Sequence, residues 1–257
     1  MFITIITDCK DDNAKGRSTT RTAMLFNNSV NYVGVENDLE AAGNLIDILD
    51  AGSGEEGIIL VNVAPRHKEA KKWENGTPFG YFYYKKTLVV SSIDGLTLSL
   101  VKKYNLVKEI NLMDIPTVLD NLTKQKMISQ NLSNHIKNTQ FRSFEFLPKV
   151  ANWIYMGIKI PVEKYSVKKV PNPSQKIWWI DNFGNCKTTL LPEDIKFKPG
   201  KKIKTKWGLF NCFDKLKDVP DNQPALITGS SGLNDKRFLE IVIQGKNAAK
   251  SLNLNRN

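Results

Sequence analysis

The order of apolar runs at the start of the chain restricts the fold more than any other feature of the sequence. An apolar, β-branched run over Phe2–Thr7 predicts a buried strand. Predicted helices and strands then alternate: a helix over Ser18–Phe26, a strand over Ser29–Val35, a helix over Leu39–Leu49 and a strand over Gly57–Val63. This order predicts an α/β domain with a mostly parallel sheet.

Polar residues mark the predicted starts of the first two helices and two loops. Ser18 is predicted to cap the first helix, and Asn37 or Asp38 the second, because their side chains can accept hydrogen bonds from first-turn amides. The polar stretch Asp11–Gly16 is expected to be a loop. The charged stretch Arg66–Pro78 has little periodicity and is predicted to be an exposed loop or flap.

The composition of the middle of the chain predicts two domains. A length of 257 residues allows either one large domain or two modest ones. Residues 161–175 are rich in proline and are typical of an interdomain linker. We therefore expect a Rossmann-like α/β domain over residues 1–160 and a small β-barrel or sandwich over the strand-rich residues 176–257.

The formal net charge of +11 raises the question of a nucleic-acid partner. The lysines are spread along the chain, and the dense group over Lys196–Lys206 largely alternates with other residue types. Lysines at every second position are typical of the solvated face of a strand. Nucleic acid is therefore not the expected partner, and a basic interaction protein ranks third among the hypotheses.

Neither a membrane segment nor a metal site is expected. No apolar run reaches the roughly eighteen residues that a transmembrane helix needs, and the first residues lack a signal-peptide pattern, so a cytoplasmic protein is expected. Cys9, Cys186 and Cys212 show no metal-binding spacing. His67 and His135 have no partner at metal-ligand spacing either, and both are expected to be exposed.

The stretch Trp178–Leu190 combines a short predicted strand, a polar turn and a second strand. Asp181 and Gly184 favour a tight turn, so a β-hairpin is the simplest interpretation. The same turn carries a carboxylate, a ring and a carboxamide. Asp181 could hold an ammonium or sulfonium group, Phe183 could stack, and Asn185 could donate and accept hydrogen bonds. The residues alone leave both interpretations open.

Two further stretches are candidates for ligand contacts. Asp8 follows the first strand, and ligands of open α/β sheets bind beyond the carboxyl ends of strands. It could bind ribose hydroxyls or serve as an ordinary loop carboxylate. Gly229–Gly232 could cradle a ligand with its backbone or simply connect two strands. The chain has no GxGxxG, P-loop or GxSxG motif, which disfavours ordinary dinucleotide, nucleotide and serine-hydrolase sites.

Several segments match, in the same order, the motifs of one protein family. The segments are Ile6–Asp8 with Lys15–Gly16, Asp38–Ala42, Val89–Val101, Ile180–Asn185, and Gly229–Gly232 with Leu239–Ile241 and Gly245–Ala249. The segment IDNFGN is very similar to the family's Ile-Asp-x-Phe-Gly-Asn turn. Over nearly its whole length the chain thus resembles the S-adenosylmethionine hydroxide adenosyltransferases, relatives of the fluorinase and chlorinase enzymes.

The resemblance implies an α/β N-terminal domain, a β-barrel C-terminal domain and a homotrimer with sites between neighbouring subunits. It also implies that S-adenosylmethionine is the substrate, that water or hydroxide attacks its ribose 5′ carbon, and that no metal takes part. The implied substrate-binding residues are Asp8 for the ribose hydroxyls, Asp181 and Asn185 for the methionine end, Phe183 for the adenine side, and the backbone of Ser230, Ser231 and Gly232 for the adenine edge.

The resemblance implies that an Asp, an Arg and a His activate water, but here the Asp and the His are missing and the insertion Arg66–Pro78 interrupts the match for the Arg. The family's Asp-Pro-Gly corresponds here to Ala64–Arg66, and its Phe-His-Gly-Arg-Asp corresponds to Gln140–Glu145, which contains no histidine. Arg66, His67 and Arg142 are the remaining catalytic candidates. The first hypothesis is therefore an enzyme that cleaves S-adenosylmethionine to adenosine and L-methionine with a non-standard set of residues. The alternative is a non-catalytic protein that binds S-adenosylmethionine or adenosine.

Overall fold

The chain folds into two compact units. The computed structural model describes residues 1–64 and 77–256, with Met1–Asn172 in the first unit and Pro173–Asn257 in the second. Strands and helices occur in both units, so the expected α/β architecture of two parts is confirmed. Most of the predicted flap over residues 66–78 lies outside the described residues.

The first unit is built around a seven-stranded sheet. Its strands are β1 (Phe2–Thr7), β2 (Asn31–Gly34), β3 (Gly57–Asn62), β4 (Phe79–Tyr84), β5 (Thr87–Ser92), β6 (Glu109–Met113) and β7 (Glu163–Ser166). They lie in the order β2-β1-β3-β5-β4-β6-β7. The first four in this order run parallel, and the remaining pairings are antiparallel. The expectation of a mostly parallel sheet therefore holds only for β2, β1, β3 and β5. From the β4–β5 hairpin onwards, neighbouring strands run antiparallel.

Strand β7 lies within the stretch that was predicted to be a linker. It pairs antiparallel with β6, with Ile110 opposite Tyr165, and the Lys164 ammonium donates to the Asn111 side chain at 2.8 Å. The linker prediction therefore does not hold at Glu163–Ser166. The flanking prolines masked a short edge strand whose polar side chains lack a clear period-two pattern.

Short and medium-length helices connect the strands of the first unit. They are α1 (Asp12–Phe26), α2 (Asp38–Ala51), α3 (Ser99–Lys103), α4 (Ile115–Lys124), α5 (Gln130–Asn138), α6 (Arg142–Glu145) and α7 (Leu147–Tyr155). Side chains of β1, β3 and β5 pack against α4, α5 and α7 to form the main apolar core. Within the described ranges, no helix of either unit has the length and apolarity needed to span a bilayer.

Helix α1 begins earlier than the sequence indicated. The side chain of Asp11 accepts a hydrogen bond from the Ala14 amide at 2.9 Å and caps the helix. The predicted cap at Ser18 is therefore wrong, and the stretch expected to be a loop forms the first helical turn. The predicted cap of α2 is confirmed at Asn37, whose Oδ1 accepts from two first-turn amides at 3.0 Å each.

The position of β1 creates a crevice at the carboxyl ends of the parallel strands. β1 pairs with β2 on one side and with β3 on the other. After β1 the chain turns towards β2 at one edge of the sheet, whereas after β3 it turns towards β4 in the opposite direction. Ligands of open α/β sheets bind at such a topological switch point. Asp8 is the first residue after β1.

A six-stranded sheet forms the second unit, together with the short helix α8 (Ala248–Ser251). The strands are β8 (Ile177–Ile180), β9 (Cys186–Thr188), β10 (Lys202–Thr205), β11 (Gly208–Phe213), β12 (Pro224–Leu233) and β13 (Lys236–Ile243). Their order is β10-β11-β12-β13-β9-β8, and only the β11–β12 pairing is parallel. On β10, Lys202 and Lys204 are exposed, as predicted for a solvated strand face.

Candidate functional site

The loop that follows β1 holds the carboxylate of Asp8 at the edge of the crevice. The Asp8 amide donates to the Asn62 carbonyl at 3.3 Å, and its Oδ2 accepts from the Ala64 amide at 3.3 Å. The Cys9 thiol lies 3.8 Å from Oδ1. Asp8 is half-buried, so the β1 and β3 ends fix its backbone and orient its side chain at the position expected from the sequence.

Tyr32 on β2 closes one side of this loop. Its hydroxyl donates to the Cys9 carbonyl. Burial, followed by the nearby Cys9, Asp11 and Asp8, raises the pKa of Tyr32 to about 12. The phenol therefore stays a neutral hydrogen-bond donor near neutral pH.

A small cavity with a mixed polar and apolar lining adjoins the carboxyl ends of β1 and β3. It measures about 30 Å³ and is lined in part by Thr7, Cys9, Asn62 and Ser143. Such a volume holds about two water molecules and is far too small for a nucleoside. Because Ser143 belongs to α6, the structure brings α6 next to the loop that follows β1.

Of the three residues that the sequence suggested as catalytic, the structure describes only Arg142. Arg142 lies half-buried on α6, beside Ser143, and burial lowers the pKa of its guanidinium. Arg66 and His67 lie outside the described residues. One candidate is thus the chain neighbour of a residue that lines the small cavity, and the other two stay predictions.

In the second unit, the turn between β8 and β9 is the predicted hairpin. The Asp181 carboxylate accepts hydrogen bonds from the amides of Phe183 and Asn185 at 2.9 Å each. It also accepts from the Asn185 side-chain amide at 3.0 Å. Asp181 therefore organises the turn, as the simple interpretation of this sequence required.

The ring of Phe183 stands out from this turn and is 72% exposed. Phe183 and Asn185 line an open cavity of about 490 Å³, together with residues 243–247 at the end of β13 and Leu216. The Asn185 amide group is oriented by its bond to Asp181, so its carbonyl oxygen is the atom that can accept from a ligand. This volume suits a small organic ligand.

Close packing joins the hairpin turn to the start of α8. A β-carbon at Gly184, which has φ +89, would lie 2.1 Å from Cγ of Asn247. The Ala249 amide donates to the Gly184 carbonyl at 2.9 Å. Two segments of the family resemblance, IDNFGN and GKNAA, are therefore neighbours in space.

The sequence did not identify Gln244, Lys246 and Asn247 as site residues, although all three line the large cavity. Their only signal was membership of the GKNAA segment or adjacency to it. Nothing in the local pattern shows that this segment packs against a turn some sixty positions earlier. A contact between distant segments is a tertiary feature that local propensity does not record.

The stretch Gly229–Gly232 is part of β12 and is not a connecting loop. The pairing of β12 with β13 shifts register between Thr228 and Gly232, which is typical of a β-bulge. The Ser230 amide donates to Oε1 of Glu240 at 3.1 Å, and Ser231 is buried. The interpretation as a loop between strands is therefore wrong. The backbone amide of Ser230 already has a partner within the protein.

A buried charged cluster supports this bulge. The ammonium of Lys187 donates to the Ser231 hydroxyl and lies 4.0 Å from Oε1 of Glu240. Burial raises the pKa of Glu240, the charge of Lys187 and the Ser230 amide oppose this rise, and the charge of Asp181 adds to it. The cluster connects the Ser230–Gly232 bulge electrostatically to the hairpin turn.

The structure thus forms two groups from the predicted site residues. Phe183 and Asn185 share the large cavity of the second unit, whereas Ser231 belongs to the neighbouring buried cluster. Asp8 lies in the first unit, and its neighbours Thr7 and Cys9 line the small cavity there. Among the described residues, no three His, Cys, Asp or Glu side chains come together as a metal site would require.

Comparison with known proteins identifies solved structures of the same architecture. An uncharacterized conserved protein from Thermotoga maritima aligns with a TM-score of 0.68 and 15% identity, covering 99% of this chain and 97% of its own. A conserved hypothetical protein from Thermus thermophilus aligns with a TM-score of 0.64 and 14% identity, covering 100% of this chain and 97% of its own. The likeness is one of fold. No protein-family model matches the chain, and no curated protein does.

Proposed function

We propose that the protein binds S-adenosylmethionine and cleaves it to adenosine and L-methionine. The observation that carries this proposal is the cavity of about 490 Å³ beside the exposed Phe183 ring and the oriented Asn185 amide. An aromatic ring attracts a sulfonium or stacks on adenine, and a carbonyl oxygen accepts from an ammonium group. The nearby Asp181 carboxylate adds negative charge, which suits a cationic ligand.

In this proposal Asp8 binds the ribose hydroxyls, and the protein acts as a cytoplasmic homotrimer. As the family resemblance implies, Asp8 and the hairpin turn of one site would come from different subunits. The protein should therefore sediment with a mass about three times the 29.1 kDa of the chain. A monomeric mass in the presence of saturating ligand would contradict this arrangement, because ligand that binds between subunits stabilises their association.

The proposed reaction is an in-line displacement. A water oxygen forms a bond to the ribose 5′ carbon, the bond between that carbon and sulfur breaks, and its electrons stay on sulfur as the neutral thioether of methionine. The proton of the attacking water leaves to solvent. Because the leaving group is already a sulfonium, no general acid is needed. The site must chiefly align the attacking water with the ribose 5′ carbon and strip that water of its hydration shell.

A non-catalytic binder is the second candidate, and the structure around Asp8 gives its reason. The resemblance matches Ala64 to the family's aspartate; its amide lies at Asp8, and Ser143 of α6 lines the small cavity. Neither side chain is a strong base. A protein with the large cavity but without an activated nucleophile would hold the ligand and leave it intact.

Incubation with S-adenosylmethionine followed by chromatography separates the two candidates. The enzyme produces adenosine and methionine in equal amounts, and Asn185→Ala reduces this rate. Asn211→Ala is the matched control, because Asn211 is a half-buried asparagine of the same unit on β11. Unchanged S-adenosylmethionine over hours, together with calorimetric binding, would favour the binder. The absence of both turnover and binding would overturn the whole proposal.

A further inference from the structure

One exposed face of α1 carries two arginines beside an open cavity. Arg17, Thr20, Arg21 and Met24 follow one another at helical spacing and therefore share a face. Together with Phe144 from α6 they line a cavity of about 340 Å³. This cavity is distinct from the one beside Phe183, and the proposed reaction does not use it.

Both guanidinium groups lie against the same aromatic ring. The Cζ atom of Arg17 is 4.6 Å from the centre of the Phe144 ring, and that of Arg21 is 4.3 Å away. The ring attracts each cation, but a neutral ring cannot cancel the repulsion between two positive charges at positions i and i+4. The arrangement therefore holds two fixed positive charges close together.

The neighbouring carboxylate does not neutralise this pair. Oε2 of Glu145 accepts from Arg21 at 3.0 Å and from Lys149 at 2.9 Å, and the His135 ring lies 3.8 Å from its other oxygen. Burial favours the neutral acid, but the hydrogen bonds and charges of Lys149 and Arg21 outweigh burial and lower the pKa of Glu145. One negative charge is thus shared by several basic groups.

Of the two arginines, Arg21 has a carboxylate partner in Glu145, whereas the charge of Arg17 is not balanced in this way. Within residues 1–64 and 77–256, no carboxylate lies within ion-pair distance of its guanidinium, and the residue is exposed. The Thr20 hydroxyl is exposed beside it and can donate a hydrogen bond. Two guanidinium groups and a hydroxyl are a donor set suited to a tetrahedral oxyanion.

We propose that this face of α1 binds the phosphate group of a small phosphorylated compound, between Arg17 and Arg21. The cavity is several times larger than a phosphate ion, and Met24, which is 70% exposed, lies at its edge. The ligand therefore carries an organic group that extends past the phosphate along the apolar edge. A phosphate ester should bind more tightly than free phosphate.

Calorimetric titration with inorganic phosphate and with phenyl phosphate tests this site. Ionic strength is held constant with sodium chloride, because surface charge attracts any anion. We expect saturable binding of both probes, tighter for phenyl phosphate, and an affinity at least about tenfold lower in Arg17→Gln. Acetate at the same ionic strength should compete poorly, since it lacks the tetrahedral set of oxygens.

Lys15→Gln is the matched control, because Lys15 is an exposed basic residue on the same helix and its loss changes the net charge equally. It should leave the affinity for both probes unchanged. Equal weakening by Arg17→Gln and Lys15→Gln would show general attraction and overturn the site, as would the absence of saturable binding. Thermal melting of both variants confirms that they fold. These titrations contain no S-adenosylmethionine, so their outcome is independent of the proposed function.

Discussion

At the scale of single residues, Phe183 offers the sharpest test of ligand binding. Its ring is 72% exposed and contributes little to the core, so truncation should leave the melting temperature nearly unchanged. Loss of stacking or cation–π attraction costs about 1–2 kcal/mol, and Phe183→Ala should therefore weaken S-adenosylmethionine binding about tenfold.

Tyr83→Ala is the control for this change, because Tyr83 is also an exposed aromatic residue, at 48%, but lies on β4 of the first unit. Calorimetry should give this control the affinity of the natural protein. If both variants bind equally well, the ring of Phe183 does not contact the ligand.

The raised pKa of Glu240 should make the free energy of unfolding depend on pH. Burial raises its pKa above the ordinary value of 4.5, so between these two values the folded chain binds more protons than the unfolded chain. The contribution of Glu240 to the free energy of unfolding therefore falls as pH rises through this window and is largest below it.

Glu240→Gln removes this titration while keeping an acceptor for the Ser230 amide. Urea unfolding of both proteins at several pH values from about 4 to 8 should show the variant gaining stability relative to the natural chain as pH rises. A difference that stays constant with pH would mean that the pKa of Glu240 is not raised by folding.

At the scale of elements, the hairpin turn and α8 should depend on one glycine. Gly184→Ala combines a positive φ of +89 with a clash against Asn247, and we expect it to lower the free energy of unfolding by more than about 1 kcal/mol. It should also weaken ligand binding, because Asn247 lines the cavity.

Gly200→Ala separates the two causes, since Gly200 has φ +82 but no atom within 4 Å of an added β-carbon. It should be destabilised by the backbone strain alone and should bind ligand normally. Denaturant unfolding and calorimetry of both variants check this. Equal losses in the two variants would mean that packing against Asn247 does not matter.

Local sequence signals located many elements but not their boundaries or all of their partners. β1 and β3 could be predicted because their apolar runs are compact, and α2 because Asn37 caps it. β11 was missed, although buried Phe210 and Cys212 alternate with more exposed neighbours. Leu209 and Phe213 are apolar although they occupy the more exposed positions, so polarity does not alternate along the strand and the period-two signal is hidden.

The candidate site was predictable to a similar degree. Asp8, Phe183 and Asn185 were identified because turns and strand ends carry recognisable residue types. Asp181 proved to organise its own turn, and Ser230 to bond to Glu240, because side-chain partners are decided by packing. That choice cannot be made from spacing along the chain.

At the scale of the whole molecule, two units with different sheets carry the two groups of predicted site residues. The same architecture occurs in the Thermotoga and Thermus proteins at 15% and 14% identity. The fold therefore tolerates almost complete replacement of side chains, as packing with conserved patterning allows. Function must be argued from the site and tested there.

Calorimetric titration of the natural protein with S-adenosylmethionine, and separately with adenosine, decides whether the cavity beside Phe183 holds a sulfonium nucleoside. The account predicts saturable binding of S-adenosylmethionine, with heat that diminishes strongly when Phe183 or Asn185 is replaced by alanine. If neither compound releases or absorbs heat at any concentration up to the millimolar range, the cavity beside the hairpin turn does not hold a sulfonium nucleoside, and the account is contradicted.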